Sequence, residues 1–270
     1  MGNAPHELGH GTVFRSRKLN KIFLHLFSLI SWWDPFDYAV SHTYHHRYTL
    51  YPEADRENVF PLEPSLNSFL LIQLFSINLF SSAGRVFGKG GLFSTIYLTF
   101  LSAIGKTVSK DIPSQEWLQS LHDDQPEEHL KSTWWSRTLL FFHGSLLIFS
   151  IASGLWVLPL VISFPAFIAN WASYFTGLTQ HCGLKDNNSD FRKSTRTIKL
   201  NPILQFLYWH MNWHIEHHMY AGVPCYNLKK LHSLVADDMP PPRTLFEAWK
   251  EMRQIWKRQQ KLSLIHISEP

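Results

Sequence analysis

Three short stretches carry the residues best suited to chemistry: His6-Glu-Leu-Gly-His10, His42-Thr-Tyr-His45-His46 and His214-Ile-Glu-His217-His218. Imidazole is the commonest metal ligand among side chains and titrates near neutral pH. On a helix of 3.6 residues per turn, positions three and four apart return to one face. Each cluster is therefore expected to aim its rings at one point, as coordination requires, and the three clusters to converge. Eight neutral nitrogen donors, without thiolate or a carboxylate-rich loop, favour a borderline transition metal over Ca2+ or Mg2+. Eight are too many for one four-coordinate zinc, so two ions sharing the donors is the natural count. Iron is the choice if the chemistry uses O2 and electrons.

The first stretch also matches H-E-x-x-H of zinc metalloproteases, whose Glu is a general base. The extended motif fails, because Val13 and Ser16 stand where Gly and His are required. Nor does a protease explain the other two clusters. Glu7 is better read as an acceptor for a ligand N–H, and His210, Asn212 and Glu216 are expected to play similar supporting parts. His210 lies one helical turn before His214, which motivates its inclusion. His25, His122, His129 and His232 read as polar-face residues. His143 sits in an apolar stretch, where it either lines a substrate channel or is held by structural hydrogen bonds.

The elements that position these residues are membrane-like. Of 270 residues, 45% are hydrophobic and only 17% charged, which excludes a disordered chain. Cys182 and Cys225 cannot supply a disulfide scaffold or a cysteine-rich zinc site. The net charge of +4 suits the cytoplasmic side of a membrane protein, and no nucleic-acid partner is expected. Between Arg137 and Lys185 there is no Asp, Glu, Lys or Arg. That length predicts a transmembrane hairpin over about 138–182, with spans of roughly 138–158 and 164–182 around Pro159 and Pro165. Lys131 and Arg137 before it, and Lys185, Arg192, Lys193, Arg196 and Lys199 after it, place both outer ends on the cytoplasmic side. Ile22–Trp33 is too short to span. Leu66–Phe80, with Leu66, Phe69, Leu70, Leu74 and Ile77 on one stripe, reads as an interfacial helix. Gly84–Gly91 breaks the chain before a second short apolar run, Leu92–Leu101. A helix starting near Pro113-Ser114 carries Trp117, Leu118 and Leu121. The expected fold is an all-α, multi-pass membrane protein with interfacial helices and a cytoplasmic histidine-rich cap.

The order H-x-x-x-H, H-x-x-H-H, then H-x-x-H-H beyond a hairpin resembles the membrane fatty-acid desaturases and their hydroxylase relatives. Ser-His42-Thr-Tyr-His-His-Arg-Tyr and Asn-Trp-His214-Ile-Glu-His-His are part of that likeness, which covers the chain to about residue 261. The resemblance implies two non-haem irons, O2 as co-substrate, a lipid acyl substrate and an external electron donor of ferredoxin or cytochrome b5 type. It also implies a further ligand just past the hairpin, a place taken by His181. In the acyl-CoA desaturases an Asn stands four residues before that histidine, whereas this chain has Gly177. The implied reaction is introduction of a double bond into an acyl chain. Hydroxylation or ketolation on the same scaffold, and a non-catalytic membrane fragment, are the alternatives. Arg192, Lys193, Arg196 and Lys199 offer a basic surface for docking an acidic electron carrier.

The family also implies a hairpin ahead of the first box, whereas only five residues precede His6, so an N-terminally truncated domain over 1–261 is expected, without a signal peptide. Leu262–Pro270 reads as the translation of a sequencing-library adapter and is set outside the functional residues.

Overall fold

Asp34 starts the helix that carries the second box: its Oδ1 accepts from the backbone N–H of Phe36 (2.9 Å) and Asp37 (3.3 Å), and Pro35 follows at the first helical position. The structure is a computed structural model. It describes residues 2–55, 57–58, 62–80, 90–107, 112–168 and 170–268, with the backbone alone for 112–114 and 262–268.

The first box lies on α1 (Asn3–Gly9), with His10 at its C-terminal cap. Gly11 then turns the chain at φ 70°, a conformation glycine adopts without a Cβ clash. α2 (Arg17–Ile30) opens at Ser16, whose side chain accepts from Leu19 N–H. α3 (Pro35–Arg47) holds the second box. Next come α4 (Ser68–Phe75), α5 (Leu92–Ala103), α6 (Ile112–Asp124) and α7 (Pro126–Ser153).

α7 is long and apolar enough to cross a membrane. Its buried side holds Ser132, Ser136, His143 and Ser150 beside Leu139, while Phe141, Ile148, Phe149 and Ile151 point outward. That is the reverse of a water-facing helix. α5 packs along it, with Ser136 donating to Ser102 Oγ and Arg137 to the Ala103 carbonyl.

The expected second spanning helix is not continuous. α7 ends at Gly154 (φ 74°), and the chain returns through α8 (Val157–Ile162), a single 3-10 turn at Pro165–Phe167, and α9 (Trp171–Gly177). Pro159 and Pro165 each lack an N–H, and Ile168 leaves the helical path to bridge Ile77. The hairpin is thus one long helix and a broken apolar return. The interfacial helix expected over Leu66–Phe80 is also shorter. It stops at Phe75, because Asn78 N–H turns to the Phe167 carbonyl. Of its anticipated stripe Leu74 is buried and Phe69 exposed. The glycine-rich break at 84–91 falls mostly outside the described residues. Gly91 is described, and a Cβ there would run into the Leu79 carbonyl.

After α9 the chain forms α10 (Phe191–Ser194), β1 (Ile198–Lys199), α11 (Pro202–Leu207), α12 (His214–Met219) and α13 (Leu228–Val235). β2 (Arg243–Thr244) follows, and then α14 (Leu245–Ser268), whose backbone runs through the expected boundary at 261. The two-residue strands pair in parallel, Ile198 with Arg243. One core joins Leu50, Leu62 and Leu74 to Tyr174, Leu178 and Cys182 and to Trp249 and Met252 of α14. It locks the stretch after the second box to the stretch that ends in His181.

Candidate metal centre

All nine histidines anticipated as ligands meet in the interior, in two groups. His6, His10, His42, His46 and His217 form one; His45, His181, His214 and His218 form the other. Within each group the ligand nitrogens lie within 4.8 Å of one another, so each could hold a metal ion.

The grouping corrects the expectation that each box aims at one point. Successive residues on a helix are about 100° apart, so two adjacent histidines diverge. His42 and His46 therefore enter the first group while His45 enters the second. The third box mirrors this, sending His214 and His218 to the second group and His217 to the first. Each H-x-x-H-H gives its i and i+4 rings to one group and its i+3 ring to the other.

Hydrogen bonds at Nδ1 fix the orientation of five rings. His6 donates to Glu7 (3.0 Å), His42 to Glu57 (2.7 Å), His45 to both oxygens of Asp55 (3.0 Å each) and His181 to the Ser194 carbonyl (3.0 Å). Thr49 donates its hydroxyl proton to the His45 carbonyl, so its oxygen accepts from His218 Nδ1 at 3.1 Å. In the neutral rings among these, the bonds leave Nε2 as a lone pair facing inward. In the second group, His181 and His218 point those lone pairs at His214 Nε2 from 3.0 and 3.2 Å. In the first, Nε2 of His10 and His46 lie 2.9 and 3.0 Å from that of His42. Converging lone pairs repel unless a cation lies between them. Two nitrogens each about 2.1 Å from one ion, at a right angle, would be about 3.0 Å apart. His217 supports the same reading, being 1% exposed with neither ring nitrogen hydrogen-bonded. The residues present fit a pair of metal ions bound by imidazole.

The electrostatics keep most of these rings neutral. Burial lowers His6 to about 3, His10 to about 4 and His181 to about 3, with neighbouring histidines adding to the effect. Burial likewise holds His42, His46, His214, His217 and His218 well below the ordinary value. His45 is the exception. Burial opposes its charge, but the Asp55 carboxylate, helped by Glu57, outweighs it and lifts the ring to about 9.

Of the supporting residues, Glu7 reaches His6, and its Oε1 also lies 3.7 Å from His217 Nδ1. The other three take different places. Trp209 and His210 both have positive φ (53° and 57°), so no helix connects His210 to His214 and the one-turn relation fails. Asn212 donates to the Ile198 carbonyl and anchors β1 rather than a ring. Glu216 accepts from Thr197 and from His232, and Thr197 in turn accepts from Ile215 N–H, so it pins α12 from behind. His232 is thus a half-buried partner of Glu216 rather than a polar-face residue. The same holds for His122, which bonds Asp37 (2.9 Å) and Thr107 (2.8 Å). His143 stacks on Trp32 with centroids 3.9 Å apart and uses both nitrogens, on Ser163 Oγ and the Leu29 carbonyl, which is a structural arrangement.

The basic surface loses a member. Arg196 is 5% exposed and donates to the Thr179 and Cys182 carbonyls beside Glu251, so it cannot dock a partner. Arg192, Lys193 and Lys199 are exposed, the first two paired with Asp190. Asp55, Glu57, Thr49 and Ser194 were not singled out from sequence. The one available signal was the three acids of Glu53-Ala-Asp55-Arg-Glu57, within a dozen residues of the second box.

No curated protein matches the chain. The family model described as fatty acid desaturase matches residues 1–249, so a profile built from other sequences spans all three boxes and His181. With the histidines paired across those boxes as described, the chain belongs to the fatty acid desaturase family.

Proposed function

We propose that this protein is an O2-dependent, di-iron lipid desaturase of a cellular membrane, forming a double bond in an acyl chain. One observation carries the reading: nine histidines, six buried and three half-buried, divide into groups of five and four, each drawing on both H-x-x-H-H boxes. An all-nitrogen, neutral donor set suits a borderline transition metal, and redox chemistry on an unactivated C–H selects iron among these. When bound, the two ions supply the activation of O2. The balanced reaction takes –CH2–CH2–, O2, two electrons and two protons to –CH=CH– and two waters, so an external electron donor is required.

The chain's own residues orient and insulate the centre. Asp55, Glu57, Glu7, Thr49 and the Ser194 carbonyl hold the rings by Nδ1 and keep Nε2 available. Burial keeps the donors other than His45 unprotonated at neutral pH, so at those rings a metal need not compete with protons. The outward apolar face of α7 supports membrane residence, and the Lys131 and Arg137 bias assigns its Pro126 end, where Ser132 meets Asp34 at the start of the second-box helix, to the cytoplasmic side.

The test is expression with iron supplied, metal analysis of the purified protein and mass spectrometry of host lipids. About two irons per chain and a new acyl unsaturation are expected. Stoichiometric zinc with no change in acyl composition would overturn the assignment, and an oxygenated acyl product would transfer it to hydroxylation.

A further inference from the structure

α2 is built inside out. The two residues it buries are Asn20 and Ser28, its uncharged polar ones, whereas Leu19, Ile22 and Leu26 are 42%, 51% and 48% exposed. These three lie at i, i+3 and i+7, one stripe pointing away from the protein. Arg15, Arg17, Lys18 and Lys21 cluster at the start of the same helix, all exposed, and none is paired with a carboxylate among the described residues. Counting about 100° per residue from Arg17, Lys21 and Lys18 fall at about 40° and 100°, and Ile22, Leu26 and Leu19 at about 140–200°. The cations thus flank the apolar stripe.

The far end of α2 is tied to α7. His143 donates its Nε2 proton to the Leu29 carbonyl, and Trp32 donates to the Ser163 carbonyl. His143 is six residues past Arg137, the last charged residue of α7, which is about 9 Å along the helix. Interfacial helices sit about 5–10 Å into the headgroup–acyl boundary. The depth, the outward stripe and the flanking cations agree.

We propose that α2 docks on an anionic phospholipid leaflet, with Leu19, Ile22 and Leu26 at the acyl boundary and Arg15, Arg17, Lys18 and Lys21 on headgroup phosphates. A consequence follows for the first box. Asn20 accepts from Phe14 N–H and donates to the carbonyls of Gly11, Phe14 and Ser16. Those bonds close the turn between α2 and His10, so a leaflet that steadies α2 also steadies two donors of the five-histidine group. The proposal rests on the membrane reading above and adds a headgroup preference, which a desaturase need not have.

The experiment uses the full chain in nanodiscs of phosphatidylcholine alone or with about one-third phosphatidylglycerol. The readout is the rate at which Lys18 and Lys21 react with an amine reagent, with exposed Lys230 as the internal control. In the anionic discs both lysines should react at least about threefold more slowly, an effect that high salt removes. The Arg15→Glu, Arg17→Glu variant keeps both reporters and should lose the protection, as should Leu19→Ser, Ile22→Ser. Equal rates in the two bilayers, or protection that survives charge reversal, overturns the proposal, as does protection that appears only when an acidic protein is added. Neither iron nor turnover is read, so failure of the desaturase assignment would be seen separately.

Discussion

His45 and His46 are neighbours in the chain, yet their rings stand 5.9 Å apart at 75° and serve different groups of metal-ligating nitrogens. The peptide between them joins the two halves of the centre. A single-residue change can therefore address one half at a time. His46→Ala should remove a donor from the five-histidine group, and His45→Ala from the four-histidine group. Each variant should keep about one tightly held ion per chain and the double variant about none. Elemental analysis against dialysis time reads this. Loss of both ions in step from either single variant would mean that the halves do not bind separately.

Asp55 is the most heavily used of the supporting carboxylates. Its oxygens hold His45 Nδ1 and accept from the backbone N–H of Leu50, Glu57 and Asn58. Asp55→Asn preserves shape but removes the charge that lifts His45. Loss of such a partner lowers metal affinity about 10–100-fold. Competition with a chelator should show that drop, while the more exposed Glu57→Gln, which touches His42 alone among the ligands, should cost less.

Acid should act on the metal-free protein in a defined direction. His6, His10 and His181 have folded values near 3, 4 and 3, against an ordinary 6.5. The unfolded chain binds protons below about 6.5 while the folded one does not, so stability rises with pH in that interval. It is fully present above 6.5 and is lost as pH falls toward 3–4. Denaturant midpoints of the metal-free protein should therefore decline from pH 7 to pH 4, and added metal should flatten the upper part of the curve.

Arg196 and Arg192 are four residues apart and should respond oppositely. Removing the buried Arg196 leaves the Thr179 and Cys182 carbonyls without its guanidinium and Glu251 with Arg243 alone, and Arg196→Ala is expected to destabilise by about 3–5 kcal/mol. Reversal of the exposed Arg192 and Lys193 should change stability by no more than about 0.5 kcal/mol. If that face meets an acidic electron donor, the same reversal slows reduction most at low salt. Stopped-flow reduction at two ionic strengths, beside thermal melts, separates the two roles.

His143 is held by Trp32, Ser163 and Leu29 rather than by the centre. His143→Ala should lower unfolding stability by about 1–3 kcal/mol and leave metal content unchanged. A loss of metal equal to the loss of a box histidine would place it with the ligands instead.

The sequence by itself determined the inventory: histidines at helical spacing and the apolar stretch between Arg137 and Lys185. These are local, because ring spacing and apolar length are properties of a contiguous stretch of chain. The convergence of the three boxes was legible for the same reason, since only metal coordination gives so many imidazoles a common use, whereas His181 was implied by the family resemblance alone. The partition of each H-x-x-H-H between two groups follows from the 100° step, but which ring goes where depends on how α3 and α12 face each other. Only the tertiary structure decided the partners at Nδ1, which come from places such as the loop at Asp55 and the end of the one-turn α10 at Ser194 that carry no periodic signal. It also decided that Arg196 turns inward while Arg192 does not, and that Trp209 and His210 leave the helical path before His214. Burial and backbone reversal are properties of packing against distant chain, and a local pattern of residue types does not contain them.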